Sequence, residues 1–441
     1  CHTIHREGKR MYLTVKQQVK HLSKEEYLAL KELCRTAKNL TNQAVYEIRQ
    51  HYFKEHKYLR YEECYKILKY SPNYRTLNSN MAQQILREVD GSFRSFFGLK
   101  KLADRGEYDC RKIRLPGYLP KDGYATLVIG MVRMDGNRLR IPYSNSFRKT
   151  HAPIEITVPP VLKDKEVKEI RIIPKADAGY FELQYTYRAE PVIHCLDSGK
   201  AMAVDLGVNN LVTAVTSEGK SLIIDGRRIK AVNQWYNKEN SRLQGIRDRQ
   251  RNKDKRADGN PGSSRNHGRK LTKRQHSLLR KRNNILQDYM SKTARILVDT
   301  CIRQGIGHLV VGCNEGFQQR SDMGRRSNQN FVQIPYGKLR SKLRYLCELN
   351  GIEYREQEES YTSKASFWDR DEIPVYKEKE QKTYPFSGRR IRRGVYETAE
   401  GKKLNADVNA ALNILRKSKV VSLTGLYSRG DVDTPERIRI A

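Results

Sequence analysis

Residues 201–226 read AMAVDLGVNNLVTAVTSEGKSLIIDG, and the fold turns on how this stretch is read. Ala201 to Leu206 is a short apolar run of strand length, Leu211 to Thr216 a second run rich in β-formers, and Ser221 to Asp225 a third. Gly207 and Ser217-Glu218-Gly219-Lys220 supply the turns between them. The pattern predicts an antiparallel meander with one carboxylate, Asp205, at the end of its first strand. An acid between Val204 and Leu206 in a buried strand is costly unless it is paired or bound to a cation. Taken on this stretch alone, Asp205 reads equally as a cap on the turn at Gly207.

Downstream, Val232 to Ile246 and Leu271 to Ile302 are patterned as helices around a basic, Gly- and Asn-rich segment, Arg247 to Lys270. That segment reads as mobile and as a lid that contacts a nucleic-acid backbone. The second helix carries Lys273, Arg274 and Arg280. His308 to Cys313 (HLVVGC) reads as a buried strand, Tyr336 to Asn350 as a helix, Ile352 to Glu359 (IEYREQEE) as a fifth strand, and Ala406 to Lys417 (ADVNAALNILRK) as a helix with Asp407 in its first turn. Three antiparallel strands, helix, strand, helix, strand, helix is the element order of the RNase H-like fold. In that fold the fourth strand lies beside the first and the fifth beside the fourth.

The first half is built differently. Met11 to Val19 alternates as a strand, and Ser23-Lys24-Glu25-Glu26 has the signature of a capped helix start. Helical patterning then holds to about Ala103, with a break at Ser71-Pro72-Asn73-Tyr74. Asn78 to Phe97 is a strong amphipathic helix whose polar side carries Ser79, Gln83, Gln84 and Arg87, groups able to read base edges in a groove or simply to face solvent. From Lys112 to Tyr187 short, turn-bounded runs at regular spacing predict a small barrel, joined by the early strand at Met11. Ala189 to Lys200 reads as a linker.

Charge narrows the function. Against 50 Asp and Glu the 441-residue chain sets 85 Lys and Arg, a formal net charge of +35. So large a surplus predicts a polyanion partner, since each phosphate neutralised releases counterions, and the 26 tyrosines offer stacking surfaces for unpaired bases. Eight cysteines lie singly with no C-x-x-C pair, which argues against a disulfide scaffold or zinc knuckle and for a reducing compartment. No run approaches ~18 apolar residues and the N-terminus lacks an apolar signal core, so neither a membrane span nor secretion is expected, and with the unpaired cysteines the expectation is a cytoplasmic protein with no membrane partner. Cys1 in place of Met predicts a trimmed start.

Two-metal phosphodiester hydrolysis needs carboxylates converging on one point, because two cations ~3.5–4 Å apart must be held together. Hard Mg²⁺ or Mn²⁺ takes oxygen ligands, which suits this composition. The predicted fold lets Asp205 and Asp407 meet. At the end of the fourth strand, where a third acid would be expected, the chain reads Val310-Val311-Gly312-Cys313-Asn314.

Several ordered motifs carry a resemblance: AVDLGVNNLVT (203–213), NQNFVQIPYGKL (328–339), EESYTSKAS (358–366), NADVNAALNIL (405–415) and RGDVDTPERIRI (429–440). With them the chain resembles the TnpB family of transposon-encoded, RNA-guided nucleases, strongly over 201–441 and more loosely over the first half. The resemblance implies a multidomain α+β protein: a wedge-like β-barrel (1–22 and 106–195), an inserted helical recognition lobe (23–105) and a RuvC nuclease domain (196–441) with an inserted target-nucleic-acid-binding loop (365–403). It implies a guide RNA and target double-stranded DNA as partners, cleavage beside a short flanking motif, two Mg²⁺ or Mn²⁺ ions and a monomeric protein. Asp205 and Asp407 match the family's first and third catalytic acids.

Most members carry the second acid where this chain has Gly312; in this branch it sits in the Glu-Ser-Tyr-Thr-Ser-Lys motif on the neighbouring strand. A Glu there can cross the fourth strand only if the residue between is small, which Gly312 satisfies. Strand alternation points Glu358 and Glu359 to opposite faces, and the acid adjoining Ser360, Glu359, is the expected ligand, with Glu358 and Glu315 as alternatives. Many relatives have a zinc ribbon before the last acid; residues 366–403 hold neither Cys nor His, so no zinc is expected there. Arg389, Arg390, Arg392 and Arg393 are instead expected on phosphates. The missing acid at Gly312 keeps open an RNA-guided DNA-binding repressor that has lost cleavage.

Overall fold

A computed structural model describes residues 11–257, 271–314, 332–375, 384–427 and 431–440. Glu315, most of the segment 247–270, and parts of the motifs at 328–339 and 429–440 lie outside them. The chain divides into two compact units whose boundary falls between Glu190 and Pro191.

The first unit opens with strand β1 (Met11–Gln18), followed by helices α1 (Lys24–Glu55), α2 (Tyr61–Leu68), α3 (Pro72–Thr76) and α4 (Ser79–Asp104). The start of α1 is set as its sequence dictates: Ser23 accepts from the Glu26 N–H while the Glu26 carboxylate accepts from the Ser23 N–H. The expected break at Ser71 to Tyr74 is itself a short helix, because Ser71 caps it and Pro72 occupies its first position. Strands β2 (Leu127–Ile129), β3 (Met134–Asp135) and β4 (Arg138–Arg140), short helix α5 (Asn145–Thr150), and strands β5 (Glu155–Thr157), β6 (Val167–Lys175) and β7 (Tyr180–Ala189) complete the unit. The sheet order is β1-β7-β6-β2, with β1 antiparallel to β7 from Met11↔Ala189 to Gln18↔Glu182.

The predicted barrel is therefore corrected in one respect. Among the described residues its strands form two sheets, the four-stranded one and a separate β3-β4-β5, and hydrogen bonding does not close them into one ring. The break follows from α4: Asn80 Oδ1 accepts from the Gly130 and Met131 N–H groups at 2.9 and 3.2 Å, so a side chain meets the chain where β2 ends and no strand takes its place.

In the second unit, strands β8 (Asp197–Leu206), β9 (Asn210–Thr216) and β10 (Ser221–Asp225) form the meander; helices α6 (Arg227–Ala257) and α7 (Lys273–Arg303) follow, then β11 (Ile306–Gly312), α8 (Tyr336–Leu349) and β12 (Glu353–Gln357). Strands β13 (Arg389–Arg392), β14 (Val395–Glu397) and β15 (Lys403–Asn405) make a small sheet that sequence patterning had read as a loop. Helix α9 (Ala406–Ser418) and strand β16 (Glu436–Ile438) end the unit. The main sheet runs β12-β11-β8-β9-β10-β16, with β11 parallel to both β8 and β12. The fourth and fifth strands thus stand where the element order puts them, while β16, parallel to β10, adds a sixth. Strand β8 begins at Asp197, so the expected linker ends earlier than Lys200.

Alternation along β8 sorts the core. Met202 and Val204 pack with Met290, Leu297, Leu339 and Leu343 of α7 and α8 on one face, while Ala201 and Ala203 pack with Val408, Ala411 and Leu412 of α9 on the other. By the same alternation Asp205 falls on the α9 face, at the carboxyl end of its strand. Gly312 follows Val310 onto that face at the end of β11.

Candidate metal centre

Asp205 keeps part of its surface toward solvent, yet protein crowds its carboxylate from most sides. Burial, then repulsion from Glu359 and from Asp407, holds it well above the usual carboxylate range; Arg390 and the Leu206 N–H act in the opposite sense. Those couplings bring the three acids that the sequence selected into one electrostatic neighbourhood.

Asp407 sits in the first turn of α9, where negative charge is favoured by the helix end. Asn405 caps the helix by accepting from the Asp407 and Val408 N–H groups at 3.0 and 3.2 Å. The Asp407 carboxylate itself accepts from Asn210 Nδ2 at 2.7 Å and, more loosely, from Arg390 Nη2 at 3.4 Å.

Glu358 and Glu359 were expected on a strand, but β12 stops at Gln357, and both acids lie just beyond it. They still diverge. Glu358 accepts from Lys417 Nζ and from the Ser360 N–H at 2.7 Å. Burial alone would raise its pKa, but these hydrogen bonds outweigh it and hold the carboxyl below its ordinary value. Glu359 turns over Gly312: a Cβ on that glycine would stand 2.6 Å from Glu359 Oε2 and 2.6 Å from Ile414 Cδ1. The Glu359 N–H donates to Asn314 Oδ1 at 3.2 Å, which ties its backbone to the end of β11. Its Oε2 is buried without a hydrogen-bond partner among the described residues, and burial, with Glu358 adding to it, pushes the carboxyl up to about 7 against the pull of Arg340 and Lys417.

An unpartnered carboxylate oxygen in a cluster of acids is what a hard cation would relieve, and the donors are all oxygen, as Mg²⁺ or Mn²⁺ requires. Among the described residues, however, no three His, Cys, Asp or Glu side chains already stand close enough to form a finished metal cage. Asp407 is turned to Asn210 and Arg390, so the acids are neighbours and not yet mutual ligands.

Around this centre stand groups that sequence reading passed over. Tyr336 OH donates to the Gly207 carbonyl at 2.7 Å, and its pKa is raised by burial and by the charges of Asp205 and Glu359. Arg340 binds the Cys313 sulfur and Glu356 beside Gly312. Asn409 and Asn413 are buried on α9; a polar residue every fourth position in an otherwise apolar helix was the available signal.

The residues expected on nucleic acid divide. In the first unit Ser79 is exposed, but Gln83 bonds the Tyr74 hydroxyl, Gln84 lies against Gly130, and the Arg87 guanidinium rests 5.2 Å from the Tyr61 ring centroid. In the second unit Lys273 and Arg274 are exposed and Arg280 half-buried. Arg389 pairs with Glu397 at 3.3 Å and Arg390 with Asp407, while Arg392 and Arg393 stand exposed at the β13–β14 turn.

The chain as a whole resembles known proteins. A family model described as a probable transposase, OrfB_IS605, matches residues 184–316, and a model of the Cas12f1-like TNB domain matches residues 336–414. A TnpB-like protein, ORF457, of Acidianus two-tailed virus is 24% identical over 427 residues, covering 88% of this chain and 83% of its own. A Cas12f1 protein solved by cryo-EM with its single guide RNA and target DNA superposes with a TM-score of 0.54 at 15% identity, covering 89% of this chain and 83% of that one. The chain is similar to TnpB-family proteins in sequence and shares the mixed α+β fold of their Cas12 relatives.

Proposed function

We propose that this protein is an RNA-guided DNA endonuclease of the TnpB kind, with an RNase H-like RuvC site built on the six-stranded sheet. The observation that carries the reading is Glu359 Oε2, buried and unpartnered over Gly312 beside Asp205. Asp205, Glu359 and Asp407 would hold the metal, with Gly312 providing the space that lets a glutamate reach across a strand. Two Mg²⁺ or Mn²⁺ ions bound there would supply an activated water and stabilise the leaving oxygen of a DNA phosphodiester. Asn210 orients the Asp407 carboxylate. Arg390 lends positive charge to Asp407 and Asp205, and must yield or share when a cation enters.

Sequence specificity is delegated to guide-RNA pairing, with the four-stranded sheet and its helices as the wedge-like and recognition parts that check a short flanking motif. The charge of +35 fits a chain that holds an RNA–DNA heteroduplex by its backbone. In a Mg²⁺-dependent assay with the co-purifying RNA and matched duplex DNA, Asp205→Ala, Asp407→Ala and Glu359→Gln should each abolish cleavage and leave RNA and DNA binding nearly intact. Wild-type cleavage by any of the three removes that residue from the site.

A second reading, a guided DNA-binding repressor without cleavage, draws on the absence of a finished three-ligand cage among the described residues. Retention of all three acids weighs against it. The same assay on the unaltered protein separates the two, since the repressor would bind its target and leave it uncut.

A further inference from the structure

Helix α9 carries a second set of side chains that point away from the apolar sheet contact: Asn409, Asn413 and Lys417, each four residues after the last. Asn409 and Asn413 are 1% and 0% exposed, and the Lys417 side chain is 6% exposed. Polar groups buried this deeply normally find partners; Asn413 Oδ1 has none among the described residues, but every partner the other groups find belongs to one segment, residues 358–374. Lys417 Nζ binds the Glu358 carboxylate and donates to the Ser360 and Pro374 carbonyls, both at 3.1 Å. Asn413 Nδ2 donates to the Thr362 and Ala365 carbonyls at 2.9 and 2.7 Å. Asn409 Nδ2 donates to the Ala365 carbonyl at 2.8 Å, and its Oδ1 accepts from the Phe367 N–H at 3.0 Å.

This segment has no strand of its own after Gln357 and passes through a left-handed residue, Tyr361, with φ of 66°. Its backbone groups therefore lack ladder partners; some are satisfied by turns within the segment, and the Ser360, Thr362, Ala365 and Pro374 carbonyls and the Phe367 N–H by the helix. The helix that ends in this clamp carries Asp407 in its first turn. Glu359 stands between the clamp and Asn314, so its position is set from α9 on one side and from the end of β11 on the other.

We infer that Asn413 and Lys417 are positioning residues: they make α9 the ruler that fixes Glu359 relative to Asp407, and so determine how well the relocated glutamate serves a divalent cation. Lys417 has a further part, since by occupying Glu358 it leaves only one of the two adjacent acids for the centre. The inference rests on the proposed metal site, and its test is chosen to fail separately from it.

The probe is Mn²⁺ alone, titrated into the protein with its co-purified RNA and no DNA, with free Mn²⁺ read by electron paramagnetic resonance. The variants are Asn413→Leu, the pair Lys417→Met with Glu358→Leu, which leaves no buried charge unmatched, and Glu359→Gln as reference. Thermal unfolding of each confirms that it is folded. Loss of groups that orient a ligand costs about tenfold or more in metal affinity, so Asn413→Leu and the double variant should bind Mn²⁺ about tenfold more weakly with Asp205, Glu359 and Asp407 all in place. If both bind as wild type while Glu359→Gln is weakened, the ruler is wrong and the site stands. If Glu359→Gln also binds as wild type, the site itself is wrong.

Discussion

The two ends of α9 each hold an acid against a base, and they hold them differently. At the N-terminal end Arg390 meets Asp407 at 3.4 Å with side chains 45% and 26% exposed; the contact is long, half-solvated and shared with Asn210. At the C-terminal end Lys417 meets Glu358 with the lysine almost wholly enclosed and two carbonyls completing its bonds. A loose pair in water contributes little and exchanges readily. A buried, fully bonded pair is costly to break, because either partner left alone keeps its desolvation cost without compensation. The difference separates an acid that is free to change partners, as a metal ligand must, from one that fixes a loop. Glu359 lies between these regimes, its Oε2 buried where the Glu358 side chain is 34% exposed, but without a partner among the described residues.

The sharpest way to break that comparison is at Gly312. A Cβ there would press on the ends of two flexible side chains, Glu359 and Ile414, so Gly312→Ala should fold, at a cost of roughly 1–3 kcal/mol in urea unfolding. Cleavage should fall about a hundredfold, since displacement of a reacting group by about an ångström is enough for that. Equal loss of stability with full cleavage would disconnect Glu359 from the site.

Lys417→Met should destabilise the folded chain by about 3 kcal/mol, visible as a lowered urea midpoint. The equivalent change at the other end, Arg390→Gln, should cost under about 1 kcal/mol. That variant should also bind Mn²⁺ no more weakly than wild type, since a competing charge is gone. Comparable stability losses at the two ends would erase the distinction drawn between them.

Protonation offers a further test, comparable in size to the Lys417 change. Glu359 has an ordinary value of 4.5 and a folded value of about 7, so between these pH values the folded state binds more protons than the unfolded one. Stability contributed by this group is therefore present below pH ~4.5 and is lost as pH rises through ~7, by roughly 3 kcal/mol in all. Glu359→Gln should remove this slope, gaining on wild type as pH rises in metal-free urea titrations at pH 5 and pH 7.5. A difference between the two proteins that does not change with pH would place Glu359 in a less buried setting.

Much of this arrangement could be read before any coordinates. Apolar runs separated by turns gave β8 to β10 and the Ser23 and Glu26 pair marked the start of α1, while the family resemblance suggested a glutamate at the end of the fifth strand and Gly312 left room for it. Those signals are local or depend on one neighbouring strand. The pairing of Arg390 with Asp407 could not be foreseen, because it depends on a small sheet, β13 to β15, whose strands of three or four residues are too short for alternation to announce them. Strand β16 was missed for the same reason: three residues joining β10 from far along the chain leave no periodic trace. Gln83 and Gln84, on the same polar face as the exposed Ser79 and Arg87, are partly buried and meet the Tyr74 hydroxyl and Gly130, contacts that helix periodicity cannot supply. The asparagine ladder on α9 was legible in principle, as buried amides at a spacing of four, but its meaning depends on the loop it holds.

The most direct test sets the two adjacent glutamates side by side. Mg²⁺-dependent cleavage of guide-matched duplex DNA is measured for Glu359→Gln and Glu358→Gln in the presence of the native RNA. Cleavage should be lost in Glu359→Gln, by more than about a hundredfold, and largely kept in Glu358→Gln, whose amide can still accept from Lys417. An inactive Glu358→Gln beside an active Glu359→Gln would contradict the assignment of Glu359 over Gly312 as the third acid.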